Sequence, residues 1–245
     1  DMAGFDRAME AQRERARAAS QFGSADTGDL ELSDVTEFVG YESLEDEATV
    51  IGIIVNGAKV AQANDDQGAL VVLDKTAFYA ESGGQAGDTG QLIADGVVFN
   101  VTDTVKSGDA FLHQAKPVSG RLSLGDKVKS VVDRPKRDAT RLNHSATHLM
   151  HAALRKILGE HVNQRGSLVN AERLRFDFSH FEAVSKEQLR EIERLVNTEI
   201  RNNSAIETEV MDLESAKGRG AMALFDEKYS AEVRVLTMGE GFSVE

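Results

Sequence analysis

TVIGIIV (49–55), NG (56–57) and AKVAQ (58–62) follow one another without a break, and they read as two strands joined by a two-residue turn. Asn-Gly accepts positive φ at both central positions, which a type I′ turn requires and whose twist matches that of the flanking strands. Working outward, ALVVLD (69–74), QLIA (91–94), Asp95-Gly96, VVFNV (97–101), AFLHQA (110–115) and VKSVVD (128–133) continue the series of short apolar runs. Their spacing predicts a small antiparallel β-barrel over residues 24–133. On its N-terminal side, Met2, Phe5, Ala8 and Met9 recur at helical spacing in an Ala-, Arg- and Glu-rich stretch. Residues 1–23 are therefore expected to be the terminal helix of an upstream region, running into a linker that contains Gly23, Ser24, Asp26 and Gly28.

On the C-terminal side the period changes. Pro135 sits where a missing N–H costs nothing and Gly159 follows the last periodic residue, which delimits a helix of about 136–158. At 100° per residue Leu142, Ala146, Leu149, Met150, Ala153 and Ile157 share one side, expected to be the core stripe. Arg141, His144, His148, His151 and Arg155 gather on the other. SLV (167–169), RLRFDF (173–178), IETEVM (206–211) and VRVLT (233–237) read as strands. Ser185 with Gln188 forms a capping box for a helix carrying Leu189, Ile192, Val196 and Ile200. Strands and helices mixed without βαβ alternation give residues 134–245 an α+β organisation.

The 245 residues are 41% hydrophobic and 28% charged, ordinary for a globular chain. No apolar stretch reaches the ~18 residues of a spanning helix, and the N-terminus lacks a signal-peptide pattern. The absence of Cys removes disulfides and thiolate ligands, fits a cytoplasmic location, and leaves metal binding to His and carboxylates. A net charge of −13 argues against general nucleic-acid binding, DNA included. Residues 134–175 nevertheless carry nine basic and three acidic groups, with four of the six His. That island suits a small anionic partner, although alternating charges on a solvated helix face would also account for it.

His144 and His148 are four apart, so both imidazoles leave one helix face and can converge on one metal ion. Two ligands do not complete a site, and a plain polar face is the alternative. In H-S-A-T-H, Ser145 stands where a zinc protease needs its Glu base. Nor does a G-x-S-x-G elbow surround Ser145 to make it a nucleophile. FYAESGGQAGDTG (78–90) is rich in glycine but matches neither phosphate-binding loop pattern. It is either a turn-rich barrel loop or a place where backbone approaches a sugar-phosphate closely.

FYAESGGQAGDTG, RLNHSATHLMHAAL (141–154), HVNQRGSLV (161–169), LRFDFSH (174–180) and ALFDEKYSAEVRVLTMG (223–239) occur in that order. Together they closely resemble the editing region of the bacterial alanyl-tRNA synthetases, over nearly the whole chain. The resemblance implies an α+β editing core of the type shared by threonyl- and alanyl-tRNA synthetases. In that family the His pair joins a Cys and a His of a downstream C-x-x-x-H motif to hold zinc. The metal ligands carried over here are thus His144 and His148, and the chain is expected to be an internal fragment that stops short of the other two. By the same resemblance Thr147 and Gln164 match pocket positions that discriminate the mischarged amino acid, and Gly83 and Gly84 match a loop near the tRNA end. Packing beside the helix and capping of a loop are the ordinary alternatives for Thr147 and Gln164. Ser82 and Asp226 depart from the family pattern, where Gly is frequent.

The implied activity is hydrolysis of the ester in Ser-tRNA(Ala) or Gly-tRNA(Ala), with the basic island, Arg141 and Arg155 included, meeting the tRNA acceptor end. The implied parent is a cytoplasmic alanine-activating ligase that uses ATP and magnesium in a domain outside these residues. Two other classes compete: a metal-independent module that only positions tRNA, and a zinc peptidase, which lacks its carboxylate base.

Overall fold

The computed structural model describes residues 35–64, 67–221 and 232–245. The helix and linker expected at 1–23, and Asp226, lie outside these residues. The described chain forms two compact units, one of residues 35–80 and 89–131 and one of residues 81–88 and 132–245. Residues 81–88 thus interrupt the first unit in sequence and pack with the second.

The first unit is all β. Its strands are β1 (Glu37–Phe38), β2 (Glu45–Val55), β3 (Ala58–Lys59), β4 (Gln62–Ala63), β5 (Ala69–Leu73) and β6 (Lys75–Thr76). They are followed by β7 (Gly90–Ala94), β8 (Val97–Ser107), β9 (Ala110–Ser119), β10 (Leu122–Ser123) and β11 (Lys127–Val132). Strands β11, β7, β8, β9, β5 and β2 are neighbours in that order, and β11 pairs back onto β2, closing a six-stranded antiparallel barrel as expected. Asn56 and Gly57 have φ of 50° and 75°, so the turn that begins the fold is of the twisted hairpin kind. AKVAQ does not stay one strand. Ala58 and Lys59 pair with β2, and Gln62 and Ala63 then switch to β10.

Ile53, Val71, His113 and Thr104 lie in cross-strand register, and all four are buried. His113 belongs to this row because both its nitrogens are used. Nδ1–H donates to the Val71 carbonyl at 2.8 Å and Nε2 accepts from the Thr76 hydroxyl at 2.8 Å. The Thr76 oxygen in turn accepts from the Phe78 N–H at 3.1 Å. Burial pushes the His113 pKa down to about 4, against a smaller opposing effect of the Val71 carbonyl. The ring is neutral at pH 7.

The second unit is built around α1 (Arg134–Leu158). The Asp133 side chain caps it by accepting from the Lys136 N–H at 3.1 Å, Pro135 lies in its first turn, and Gly159 ends it with φ 118°. The antiparallel hairpin of β12 (Gln164–Val169) and β13 (Leu174–Phe178) packs on it, as does α2 (Lys186–Asn202), which the expected Ser185–Gln188 capping box begins. A three-stranded sheet of β14 (Glu207–Asp212), β15 (Glu232–Met238) and β16 (Ser243–Val244), with the short α3 (Leu213–Gly218), completes the described part. Ala153, Leu154, Val162 and Ile192 form the core, with Met150, Phe176, Leu195 and Phe242 packed against them.

The amphipathic reading of α1 needs correction. Leu142, assigned to the core stripe, is 73% exposed, whereas His151, assigned to the polar side, is 1% exposed with its ring 5.0 Å from that of Phe176. Arg137, Thr140 and Thr147 are buried too. Helical period locates an apolar stripe but does not register that other segments cover the polar one, and here residues 81–88, the hairpin and Glu245 do so.

Candidate functional site

The glycine-rich loop is tied to the second unit at several points. Gln85 N–H donates to the Ser82 carbonyl at 2.9 Å around a turn whose central residues, Gly83 and Gly84, have φ of 57° and 84°. The loop then joins the edge of β12. Val169 N–H donates to the Gly84 carbonyl at 2.8 Å and Ala86 N–H to the Val169 carbonyl at 2.9 Å. A Cβ on Gly84 would lie 2.4 Å from the Ser167 carbonyl oxygen, so this residue must be Gly for contact as well as for φ. Gly83 faces open space. The close approach that glycine permits at position 84 is therefore to the protein's own strand. At the far end Asp88 receives the Arg137 guanidinium, with Nε 2.9 Å from both carboxylate oxygens and Nη2 also bonded. Both side chains are buried, 8% exposed for Arg137 and 7% for Asp88.

The helix face under this loop carries the imidazoles. The His144 and His148 rings lie 4.8 Å apart between centroids, tilted by 34°. His144 Nδ1–H donates to the Gln85 side-chain carbonyl, which leaves Nε2 with its lone pair. Burial, helped by His148 and opposed by Glu245, pushes the His144 pKa down to about 4, so this ring too is neutral at pH 7. Glu245, whose backbone pairs both ways with Leu236, brings its carboxylate 3.4 Å from His148 Nδ1 and 3.8 Å from His151 Nδ1. Burial raises the Glu245 pKa, but attraction from the adjacent His148 and His151 outweighs that and holds it below the usual carboxylate value. Among the described residues, both His151 ring nitrogens and Glu245 Oε2 are buried without a hydrogen bond.

Thr147, one turn from His144 and buried, donates its hydroxyl to the Asn143 carbonyl at 2.8 Å and keeps an oxygen that can accept. Gln164 opens β12 opposite Phe178, at a bulge before Gly166. The two arginines differ. Arg141 is exposed, with Asp138 at 3.9 Å as an ion-pair partner, whereas Arg155 Nη1 donates to the carbonyls of Glu160 at 2.5 Å and Val162 at 3.0 Å beyond the helix end. His144, His148 and Thr147 are thus gathered on one helix beneath the glycine loop. Gln85, Asp88, Arg137, His151 and Glu245 join them without having been assigned a role from sequence.

The zinc ion implied by the family resemblance can be tested against these donors. Two imidazoles from one helix face, one already held through its other nitrogen, suit two positions of a tetrahedral site. Among the described residues no group of three His, Cys, Asp or Glu side chains is arranged to hold a metal ion. The pair therefore fits as half of a zinc site.

The chain belongs to the class II tRNA synthetase family: the family described as tRNA synthetases class II (A) matches residues 1–136. Alanine–tRNA ligases of Pseudomonas entomophila and Saccharophagus degradans are each 54% identical to it over all 245 residues, the His-bearing unit included. That of Pseudomonas savastanoi pv. phaseolicola is 54% identical over the same span. The chain spans 28% of the length of each of these relatives. No helix among the described residues is long and apolar enough to cross a membrane.

Proposed function

We propose that residues 134–245, with the glycine loop, form the editing site of an alanine–tRNA ligase, which hydrolyses the ester of Ser-tRNA(Ala) or Gly-tRNA(Ala). The observation that carries this reading is the grouping of His144, His148 and Thr147 under a loop clamped to the same helix, in a chain 54% identical throughout to such ligases. An editing site has a physical purpose here. A pocket for alanine rejects glycine, one methyl smaller, by only about 1–3 kcal/mol, and it rejects serine imperfectly, so binding alone leaves mischarged tRNA to be removed.

His144 and His148 are the zinc ligands of this reading, joined by two more from outside these residues. A zinc ion held there would supply Lewis acidity toward the ester or water, or orient the amino group of the substrate. The protein's own groups do the rest. Thr147 offers an acceptor oxygen and Gln164 an amide to the amino-acid moiety, so that both favour the hydroxyl of serine over the methyl of alanine. Gly83 lies open beside the entering tRNA end, Gly84 fixes the loop, and Arg141 and Arg155 add positive charge toward acceptor-stem phosphates. The parent ligase works in the cytoplasm and uses ATP with magnesium in its aminoacylation domain.

The test measures zinc content and Ser-tRNA(Ala) hydrolysis together, on a chain extended through the relatives' following region. Zinc near one per chain, with both properties lost in His148→Ala, is expected. Hydrolysis that survives His148→Ala in metal-free protein would reject the zinc site. Absence of hydrolysis with intact tRNA binding would favour a module that only positions tRNA.

A further inference from the structure

We propose that Gln85 is a positioning residue that fixes His144 in the Nδ1–H tautomer and thereby presents Nε2 as the metal-binding nitrogen. The tautomer claim stands on the hydrogen bond alone, and its consequence for metal rests on the zinc reading above. A neutral imidazole carries one proton, on either nitrogen, and the bond made by one nitrogen decides the chemistry of the other. The Gln85 carbonyl oxygen has no hydrogen to give, so His144 Nδ1 must carry the proton.

What makes Gln85 a setter of the ring, rather than a side chain that follows it, is how firmly it is held. It is buried, its N–H is bonded to Ser82, and the residues on either side of it are laddered to Val169. The loop also meets the helix twice, Gln85 on His144 and Asp88 on Arg137. Arg137 and His144 are seven residues apart, close to two turns, and therefore emerge from α1 within about 20° of each other. The buried ion pair sets the register of the loop against the helix, and Gln85 then reaches the imidazole one turn short of His148. An acceptor behind a ligating histidine fixes its orientation and raises its basicity, and loss of such a partner typically weakens metal binding 10–100-fold.

The test uses the chain extended through the relatives' following region and labelled with 15N in histidine, so that the full ligand set of the zinc reading is present. Long-range 1H–15N correlations report the tautomer of His144, and Zn2+ alone is titrated in parallel. The wild-type ring is expected as Nδ1–H. Gln85→Leu should give a mixture of tautomers and weaken zinc binding 10–100-fold. Gln85→Glu, which keeps an acceptor oxygen, should restore both. His113, also Nδ1–H but in the barrel, must stay unchanged in every variant and reports intact folding. Retention of the pure Nδ1–H form in Gln85→Leu overturns the proposal. A tautomer change with unaltered zinc affinity overturns the metal-positioning role. If the wild type takes up no zinc while the tautomer follows Gln85, the assignment of Gln85 stands and the zinc reading is the one that fails.

Discussion

Replacing Asp88 by Asn keeps the shape of the side chain and removes its charge, leaving Arg137 buried opposite a neutral group. Because both side chains are less than 10% exposed, solvent screens the pair little, and the cost belongs to the range for breaking a buried ion pair, about 3–5 kcal/mol. An exposed pair such as Arg141–Asp138 contributes no more than about 1 kcal/mol. The loss should be felt locally first, since Asp88 anchors the end of a loop that is also tied by the ladder to Val169 and the Gln85–His144 bond. Urea unfolding of the chain, followed at probes in each unit separately, should show the second unit destabilised by that amount with the barrel nearly unchanged. Hydrogen exchange at the Ala86 and Val169 amides should accelerate at lower urea than global unfolding. Replacing both partners by apolar residues, as Asp88→Leu with Arg137→Met, should recover most of the loss, because no uncompensated charge then remains. A cost under about 1 kcal/mol for Asp88→Asn would mean that the pair does not clamp the loop.

His113 should make the barrel sensitive to acid. Its folded pKa, about 4, lies below the ordinary 6.5, so the unfolded chain takes up a proton first as pH falls. Its contribution is intact above about pH 6.5 and declines toward pH 4 by about 3 kcal/mol. His113→Gln should flatten the slope of barrel stability between those values, measured by denaturation against pH. Gly84→Ala should cost more than Gly83→Ala: both meet positive φ, at about 1 kcal/mol, but at position 84 the new methyl also collides with Ser167 and should lift the loop off β12. Differential stability and exchange at Val169 check this. Arg141→Glu should weaken tRNA binding and lower its salt dependence with stability changed by less than about 0.5 kcal/mol. Arg155→Glu should add a loss of about 1 kcal/mol, from the part-buried Val162 carbonyl and the exposed Glu160 carbonyl whose hydrogen bonds it removes.

Much of the local structure was legible because it is written in local signals. Asn56-Gly57 specifies its turn whatever surrounds it, Pro135 and Gly159 bound α1 from adjacent positions, and Ser185 finds Gln188 three residues on. Barrel closure followed from strand number and spacing. The partners that make the site were harder to see because they are distant: Asp88 and Arg137 are 49 residues apart, and Gln85 and His144 are 59. Nothing in a helical period states that a loop from the barrel half of the sequence covers the polar side of α1. For the same reason Leu142 was assigned inward and His151 outward, opposite to where burial puts them. Histidine spacing revealed the pair, whereas the amide that orients one of its rings became visible only when the chain folded back.

The most direct measurement is the rate at which this chain, placed in the full length of its ligase relatives, hydrolyses Ser-tRNA(Ala) compared with Ala-tRNA(Ala), for wild type and for His144→Ala. An editing site should release serine much faster than alanine and lose that release when His144 is removed. Equal rates for the two aminoacyl groups, or unchanged serine release in His144→Ala, would contradict it.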